Sequence, residues 1–228
     1  MLDFLIDLDK SALLLCNGTH TLWLDNFNWM ITARWFNVFV ALPLLVMMGL
    51  VIFKHKKEGV IEAMLVIVAL ALAVLIADQV ASSFFKPLFQ RLRPSHDPSL
   101  SVILVNDYHG GRYGFVSSHA ANTFAAAVLL LNIFRNKYFS VVILLWAILV
   151  SYSRIYLGVH FPGDIICGAL LGIAVGYAIY RLYKWTRSVF VAKNKFVCSG
   201  NPYSREDYAC GYAWSILLLF VVIAVVAL

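Results

Sequence analysis

The sequence predicts an all-α, polytopic membrane protein: a bundle of six transmembrane helices with an N-terminal amphipathic helix at the membrane surface. Of its 228 residues, 62% are hydrophobic and 13% are charged, whereas soluble domains average about 45–50% and about 25%. Mean hydropathy is +0.82. These values disfavour a water-soluble globule. We expect one domain over residues 1–228, with an interfacial segment at 1–34 and the six-helix bundle at 35–228.

The first element is an expected interfacial helix in the first sixteen residues. Asp3, Asp7 and Lys10 recur at a helical spacing among leucines and isoleucines, which is typical of a helix lying on a membrane. Asn17 would end it. The stretch Trp23–Trp35 alternates aromatic and polar residues, as expected of chain in the headgroup layer.

Five long apolar runs and one mixed run follow, each near the ~20 residues that cross ~30 Å of hydrocarbon. A proline at the start of the fifth run is tolerated because the first turn of a helix leaves its N–H groups unpaired anyway. The predicted spans are Trp35–Phe53, Gly59–Phe85, Ser118–Phe134, Phe139–Ser153, Pro162–Tyr183 and Tyr212–Leu228.

The distribution of basic residues predicts the orientation of the bundle. Six spans place both termini on one side, here called side A, and the remaining loops on side B. Side A carries seven of the 18 basic residues, and cytoplasmic loops are enriched in Lys and Arg, so side B is predicted to be cytoplasmic. The eleven basic residues of side B are Lys54, Lys56, Lys57, Arg135, Lys137, Arg181, Lys184, Arg187, Lys193, Lys195 and Arg205.

Polar residues that adjoin spans are costly unless they have partners or a function, and here they collect in three segments on side A. The segments are Lys86–Pro94 after the second span, Phe115–His119 at the start of the third, and Ser153–Asp164 between the fourth and fifth. Together they supply three cations, two histidines, a carboxylate and a serine.

This set of side chains matches the needs of a phosphoryl group. Lys86, Arg93 and Arg154 can hold the equatorial oxygens of a phosphoryl-transfer transition state. Ser117 stands at the start of the third span, where free backbone N–H groups and the helix dipole form an anion site.

The two histidines predict a division of roles. Asp164 follows His160 by four residues, so its carboxylate can orient the ring and stabilise the charge that develops when His160 attacks phosphorus. His119 has no acidic neighbour in the sequence and is the better candidate to protonate the leaving group.

At these residues the sequence resembles the type 2 phosphatidic acid phosphatase superfamily, the membrane relatives of vanadium haloperoxidases. Two of the motifs that carry the resemblance are complete, and the third has two substitutions. The pattern KxxxxxxRP is met by Lys86, Arg93 and Pro94, and SRxxxxxHxxxD by Ser153, Arg154, His160 and Asp164. In the motif PSGH, Ser117 and His119 match, whereas Val116 replaces the proline and Ser118 the glycine.

The resemblance implies hydrolysis without a metal or cofactor, through a phosphohistidine on His160. Asp164 would assist, and His119 would serve the leaving group. The implied phosphate-binding residues are Lys86, Arg93, Ser117, Ser118 and Arg154. The sequence also has no acidic cluster that predicts a metal site.

We therefore expect a bacterial inner-membrane lipid phosphatase whose active site faces the periplasm or cell exterior and which binds no nucleic acid. The favoured substrates are a lipid A phosphate and undecaprenyl pyrophosphate. The N-terminal segment and the Val-Ser-Ser-His motif are most similar to the lipid A 4′-phosphatases of the superfamily. A phosphotransferase and an anionic-lipid transporter are the alternatives. Asp78 could pair with a motif cation or line the mouth of the site, and Arg112 could contact a headgroup or lie in solvent.

Overall fold

The computed structural model describes residues 2–192, 202–203 and 206–228, and these are predominantly helical. An isolated antiparallel bridge joins Leu92 to Tyr113, and no strand occurs within the described ranges. The all-α prediction is confirmed for this part of the chain. Lys193, Lys195 and Arg205, which were counted on side B, lie outside the described residues.

Eight α-helices span most of these ranges. They are α1 (Leu2–Asn17), α2 (Leu22–Thr32), α3 (Arg34–Gln79), α4 (Lys86–Phe89), α5 (Ser118–Phe134), α6 (Lys137–Tyr156), α7 (Pro162–Ala192) and α8 (Glu206–Val226). A π-helical segment, Val80–Phe85, joins α3 to α4. Two short 3₁₀ turns, Pro94–His96 and Val105–Asp107, lie in the loop before α5.

Helix α3 reverses direction within its range. Lys56 has φ 51° and ψ −121°, which no helix contains. Gly59 packs so closely on the preceding arm that an added Cβ would lie 2.5 Å from the carbonyl oxygen of Val51. Residues eight apart in a straight helix are separated by about 12 Å, so the two arms of α3 are antiparallel.

Several helices are long and apolar enough for membrane crossings. Three helical stretches within the described residues are long and apolar enough to cross a bilayer: Trp35–Phe89, Lys137–Tyr156 and Pro162–Phe190. Ser118–Phe134 and Gly211–Val226 are shorter apolar helices. The first stretch contains 55 residues and reverses at Lys56, so it is long enough to cross the bilayer twice. The count of six spans stays a prediction.

The observed helix ends follow capping groups and do not always coincide with the ends of apolar runs. Helix α5 has the predicted bounds, with Ser117 as its N-cap and Arg135 in the left-handed conformation at its C-cap. Asn136 caps α6 by accepting hydrogen bonds from the next turn, so α6 begins two residues before the predicted span. Helix α7 continues nine residues past Tyr183, because a helix does not have to end where the hydrocarbon does.

Glycines on one face of α7 bring its backbone against α5. An added Cβ at Gly168, Gly172 or Gly176 would lie 2.6, 2.3 and 2.5 Å from carbonyl oxygens of α5 and its N-cap. Only residues without a Cβ permit this approach. The contact starts at the first turns of both helices, so it places the N-termini of α5 and α7 side by side at one end of the bundle.

The two N-terminal helices cover that same end. The amide nitrogen of Asn17 donates to the carbonyl oxygens of Tyr156 (2.7 Å) and Ile103 (2.9 Å). Helix α1 also exposes large apolar side chains, among them Leu8 and Leu15. A helix is therefore present where the interfacial helix was predicted, while its position on a bilayer surface stays a prediction.

The α5–α7 contact predicts a specific sensitivity to methyl groups. Gly172→Ala would place a Cβ 2.3 Å from the carbonyl oxygen of Ala121, and overpacking of this kind costs about 1–3 kcal/mol. We expect a lower melting temperature in detergent. Gly49→Ala is the matched control, because an added Cβ there meets nothing within 4 Å. Equal melting temperatures for the two variants would contradict the assigned contact.

Candidate active site

The predicted site residues converge where the N-termini of α5 and α7 meet the C-terminus of α6 and the loop after α4. Most of them are removed from solvent although they are charged or polar. The buried members are Arg93, Ser117, Arg154, His160 and Asp164. Lys86, Ser118 and His119 are partly exposed at the edge of this cluster. The structure therefore brings together residues that three separate segments supply.

His160 and Asp164 form the centre of the cluster. Nδ1 of His160 lies 3.4 Å from Oδ2 of Asp164, which also accepts a hydrogen bond of 3.1 Å from the backbone N–H of Phe161. Burial, followed by the nearby cations Arg93 and Arg154, lowers the pKa of His160 well below its ordinary value of 6.5. The ring is thus neutral at pH 7, with Nδ1 towards the carboxylate and Nε2 as the remaining nucleophilic atom.

Arg154 is fixed by two hydroxyl groups from other elements. One terminal nitrogen donates to Oγ1 of Thr32 at 2.7 Å, and the other to the phenolic oxygen of Tyr108 at 3.3 Å. Its buried Nε–H has no hydrogen-bond partner among the described residues. A buried cationic donor without a partner is costly, and an oxyanion would satisfy it.

Arg93 is held by the backbone around the site. Its Nε donates to the carbonyl oxygen of Tyr113 at 3.2 Å. One of its terminal nitrogens lies 3.5 Å from the carbonyl oxygen of Val159. Burial and the neighbouring Arg154 lower the pKa of Arg93 to about 10. The guanidinium therefore remains charged at neutral pH, and it lies close enough to the buried Arg154 for the two cations to repel each other.

Ser118 holds Lys86 in place. The ammonium nitrogen of Lys86 lies 2.6 Å from Oγ of Ser118, whose hydroxyl also lies 3.0 Å from that of Ser82. The serine that departs from the PSGH motif thus provides a side-chain contact that glycine cannot make. Ser117 caps α5 by accepting a hydrogen bond of 3.4 Å from the backbone N–H of Ala120.

His119 lies on the other side of the cluster. It interacts electrostatically with His160 and with the three cations. It also lines a cavity of about 370 Å³ that extends into the bundle, together with Asp78 and Asn122. Asp78 accepts a hydrogen bond of 3.1 Å from the amide of Asn122 and interacts electrostatically with Lys86. Arg112 is exposed, with its guanidinium 5.7 Å from the ring of Tyr113.

Two charged residues that the sequence analysis did not assign complete the environment of Asp164. Arg91 donates to Oδ1 of Asp164 at 2.9 Å and to Oδ2 of Asp9 at 2.6 Å, and its guanidinium lies 4.0 Å from the ring centre of Phe161. The other oxygen of Asp9 accepts a hydrogen bond of 2.7 Å from the backbone N–H of Gly163. Helix α1 is thereby linked to the first turn of α7.

The sequence contains only a weak signal for these partners. Arg91 occupies a variable position inside the KxxxxxxRP pattern, and Asp9 belongs to a helix expected at the membrane surface. Thr32 and Tyr108, the partners of Arg154, lie in no motif. Their roles depend on contacts between residues 46 to 122 positions apart, which local patterns do not encode.

The PAP2 superfamily model matches residues 62–188, which include every motif residue of this cluster. The chain belongs to the PAP2 superfamily. The sequence is 38% identical to a lipid A 4′-phosphatase of Porphyromonas gingivalis over 203 residues, 88% of this chain and 82% of that protein. It is also 38% identical to a lipid A 4′-phosphatase of Bacteroides thetaiotaomicron over 183 residues, 79% of each chain.

The fold resembles the crystal structure of Aquifex aeolicus LpxE. The TM-score is 0.54 at 26% identity, over 75% of this chain and 93% of the other. These comparisons confirm the resemblance predicted from the three motifs. The protein is a phosphatase of the PAP2 superfamily and, with its apolar helices, a multi-pass membrane protein.

The ionic link from Asp9 through Arg91 to Asp164 predicts positioning effects on catalysis. Arg91→Gln removes the cation that faces Asp164, and a misplacement of about 1 Å in an active site costs up to about 100-fold in rate. We expect kcat to fall more than KM rises, and Asp9→Asn to have a smaller effect of the same kind.

Asp7→Asn is the matched control for Asp9, because Asp7 is exposed on the same helix. Steady-state kinetics and melting temperatures should be measured together. An unchanged kcat in Arg91→Gln, with the fold intact, would show that Arg91 does not position Asp164.

The environment of His160 predicts its titration. Because burial and cations lower the pKa of His160 below 6.5, its imidazole should stay neutral as the pH falls from 8 to 6 and protonate only at more acidic pH. NMR of ¹³C-histidine in the detergent-solubilised protein can measure this, with the signal assigned by its loss in His160→Asn. A midpoint at or above 6.5 would contradict the assigned environment.

Proposed function

We propose that the protein hydrolyses a phosphate ester on a membrane lipid without a metal, through a phosphohistidine on His160, at the outer face of the inner membrane of a bacterium. The 4′-phosphate of lipid A is the favoured substrate, and a polyprenyl pyrophosphate is the next candidate. The observation that carries the proposal is the buried, neutral His160, held by Asp164 among fixed cations.

Substrate binding would satisfy the buried cations. Arg93 and Arg154 lie close enough to repel each other, and the Nε–H of Arg154 lacks a partner among the described residues. A phosphate group supplies the missing negative charge and hydrogen-bond acceptors. Lys86 and the N-terminus of α5 add a third cation and the positive end of a helix dipole. The same groups stabilise the charge on the equatorial oxygens in the transition state.

The first chemical step would form a bond between Nε2 of His160 and phosphorus, while the bond from phosphorus to the leaving oxygen breaks. The positive charge that develops on the ring is stabilised by Asp164 at Nδ1. His119 gives its proton to the departing oxygen. In the second step a water molecule loses its proton to His119 and attacks phosphorus, which releases inorganic phosphate and restores His160.

The relatives support the choice of substrate. Both curated proteins described above are named as lipid A 4′-phosphatases, and the match covers 82% of the first and 79% of the second. Substrate preference within a superfamily depends on the groups around the shared chemistry, so similarity over most of the chain is a better guide than the motifs alone.

The orientation follows from the charges at the two ends of the bundle. The site lies at the N-termini of α5 and α7, whereas Arg135 and Arg187 lie near their C-termini. The positive-inside rule assigns the basic end to the cytoplasm and the site to the outer face. A phosphotransferase would share the phosphohistidine but pass the group to an alcohol. A transporter is disfavoured because the cations collect at one end and not at the midplane.

The two histidines should differ in their dependence on the leaving group. His160→Ala removes the nucleophile and should lower turnover by several orders of magnitude for every substrate. His119→Ala removes proton donation, which contributes about 10²–10⁴-fold, and only where the leaving group needs a proton. It should therefore retain far more activity on an aryl phosphate than on a sugar phosphate.

Phosphate release from purified protein in detergent measures both effects, and ³²P labelling quenched in alkaline detergent detects the phosphoenzyme, whose P–N bond is labile in acid. Labelling that persists in His160→Ala would overturn the proposed nucleophile. Equal losses for the two variants across leaving groups of different pKa would show that His119 is not the acid. Transfer of label to an added alcohol in place of water would favour the phosphotransferase.

The proposed orientation places the loop before α5, which carries His109, outside the cell. It places the reversal of α3, which carries Lys57, in the cytoplasm. In a cysteine-free background, a cysteine at His109 should react with an impermeant thiol reagent in intact spheroplasts, whereas a cysteine at Lys57 should react only after lysis. The reverse pattern would place the site in the cytoplasm.

A further inference from the structure

The cavity beside His119 changes character along its length. Most of its polar lining residues lie within two turns of a helix end, next to the site, whereas Trp146 lies midway along α6. The residues deeper in the bundle are apolar apart from the ring groups of Trp146 and Tyr212. The polar members are Asn37, Asp78, Ser118, His119, Asn122 and Thr123, and the deeper members include Leu44, Leu70, Ala126, Leu130 and Ile143. From Ser118 to Leu130 the cavity follows α5 for roughly 18 Å.

Three buried polar atoms in the lining residues have no hydrogen-bond partner among the described residues. They are the amide oxygens of Asn37 and Asn122 and the indole Nε1–H of Trp146. Buried polar groups are nearly always paired, and each exception requires an explanation. Two acceptors and one donor around one cavity point to a ligand that both donates and accepts hydrogen bonds.

The orientation of the Asn122 amide is fixed by Asp78. Its nitrogen donates to the Asp78 carboxylate at 3.1 Å, so the opposite assignment would place two oxygens in contact. The amide oxygen of Asn122 is therefore an acceptor without a donor. The same pair presents a carboxylate to the cavity, which is the polar group least compatible with a second phosphate nearby.

We propose that this cavity is the leaving-group subsite, and that it selects a phosphate monoester on a neutral, hydroxyl- and amide-bearing group, such as an acylated amino sugar, over a lipid diphosphate. The inference rests on the proposed function, because His119 would protonate the group that occupies the cavity. Sugar hydroxyls and amides would pair with Asn37, Asn122 and Trp146, and a hydrocarbon chain would follow the apolar walls.

Asp78 supplies the discrimination against a diphosphate. When a diphosphate is cleaved, the leaving group is itself an anion and would occupy the space beside this carboxylate, where like charges in a low-dielectric surrounding repel strongly. A sugar hydroxyl can instead donate a hydrogen bond to Asp78. One carboxylate thus favours one leaving group and penalises the other.

The test compares three substrates with the same purified protein in detergent. They are a synthetic N-acylated glucosamine 4-phosphate lipid, farnesyl diphosphate, and 4-nitrophenyl phosphate, which has no hydroxyl or amide group to pair with Asn37 or Asn122. The variants are Asn122→Ala, Trp146→Phe and Asp78→Asn. Asn132→Ala, on the same helix but outside the cavity, and the exposed Glu58→Gln are the matched controls.

We expect Asn122→Ala and Trp146→Phe to lower kcat/KM for the sugar phosphate about tenfold, mainly through KM, because each removes a hydrogen bond to that substrate. The kcat/KM for 4-nitrophenyl phosphate should change less than about twofold, since that compound lacks the sugar groups that bond to these residues. Asp78→Asn should raise the ratio of diphosphate to sugar-phosphate activity about tenfold. The two controls should leave all three values unchanged.

Equal losses on all three substrates would show that these residues only support the fold, and would overturn the inference. An unchanged ratio in Asp78→Asn would overturn the role of the carboxylate. If His160→Ala still abolishes activity, either result leaves the proposed phosphatase function unaffected. If His160→Ala remains active, the proposed function itself is overturned.

Discussion

The ion pair between Asp164 and Arg91 is the interaction on which the rest of the site depends. Asp164 is fully buried, and a buried carboxylate is costly unless it has a cation and hydrogen bonds. Arg91 supplies the cation at 2.9 Å, while the main-chain oxygen of Asp164 accepts the N–H of Ser117 at 3.0 Å. Asp164, whose carboxylate lies beside His160, thus also fixes the start of α5.

Helix ends make up most of this site, and their dipoles suit the residues that they carry. The N-termini of α5 and α7 lie next to each other, where an anion is favoured, and Arg154 lies in the last turn of α6, where a cation is favoured. In the proposed mechanism, the buried side of the cluster binds the phosphate and carries the nucleophile. The side that opens into the cavity, beyond His119, would hold the leaving group, so substrate choice could vary without a change in the chemistry.

Much of the fold could be predicted because its main signals are local. Runs of apolar residues predicted the helices, and both ends of α5 agree with the prediction because a serine cap and a left-handed residue bound it. The reversal of α3 falls inside the basic segment expected to separate the first two spans. The direct backbone contact between α5 and α7 could not be predicted, since a glycine in an apolar run does not indicate which helix it will meet.

For the site, three motifs of fixed spacing predict which side chains carry the chemistry, because they supply the cations, both histidines and Asp164. What holds these side chains in place depends on how the helices pack. Arg91 joins Asp164 and Asp9 across 73 and 82 residues of chain, and Ser118 supports Lys86 across 32. Spacing along a sequence specifies neighbours within a helix or turn, whereas partners so far apart are chosen by how the helices pack.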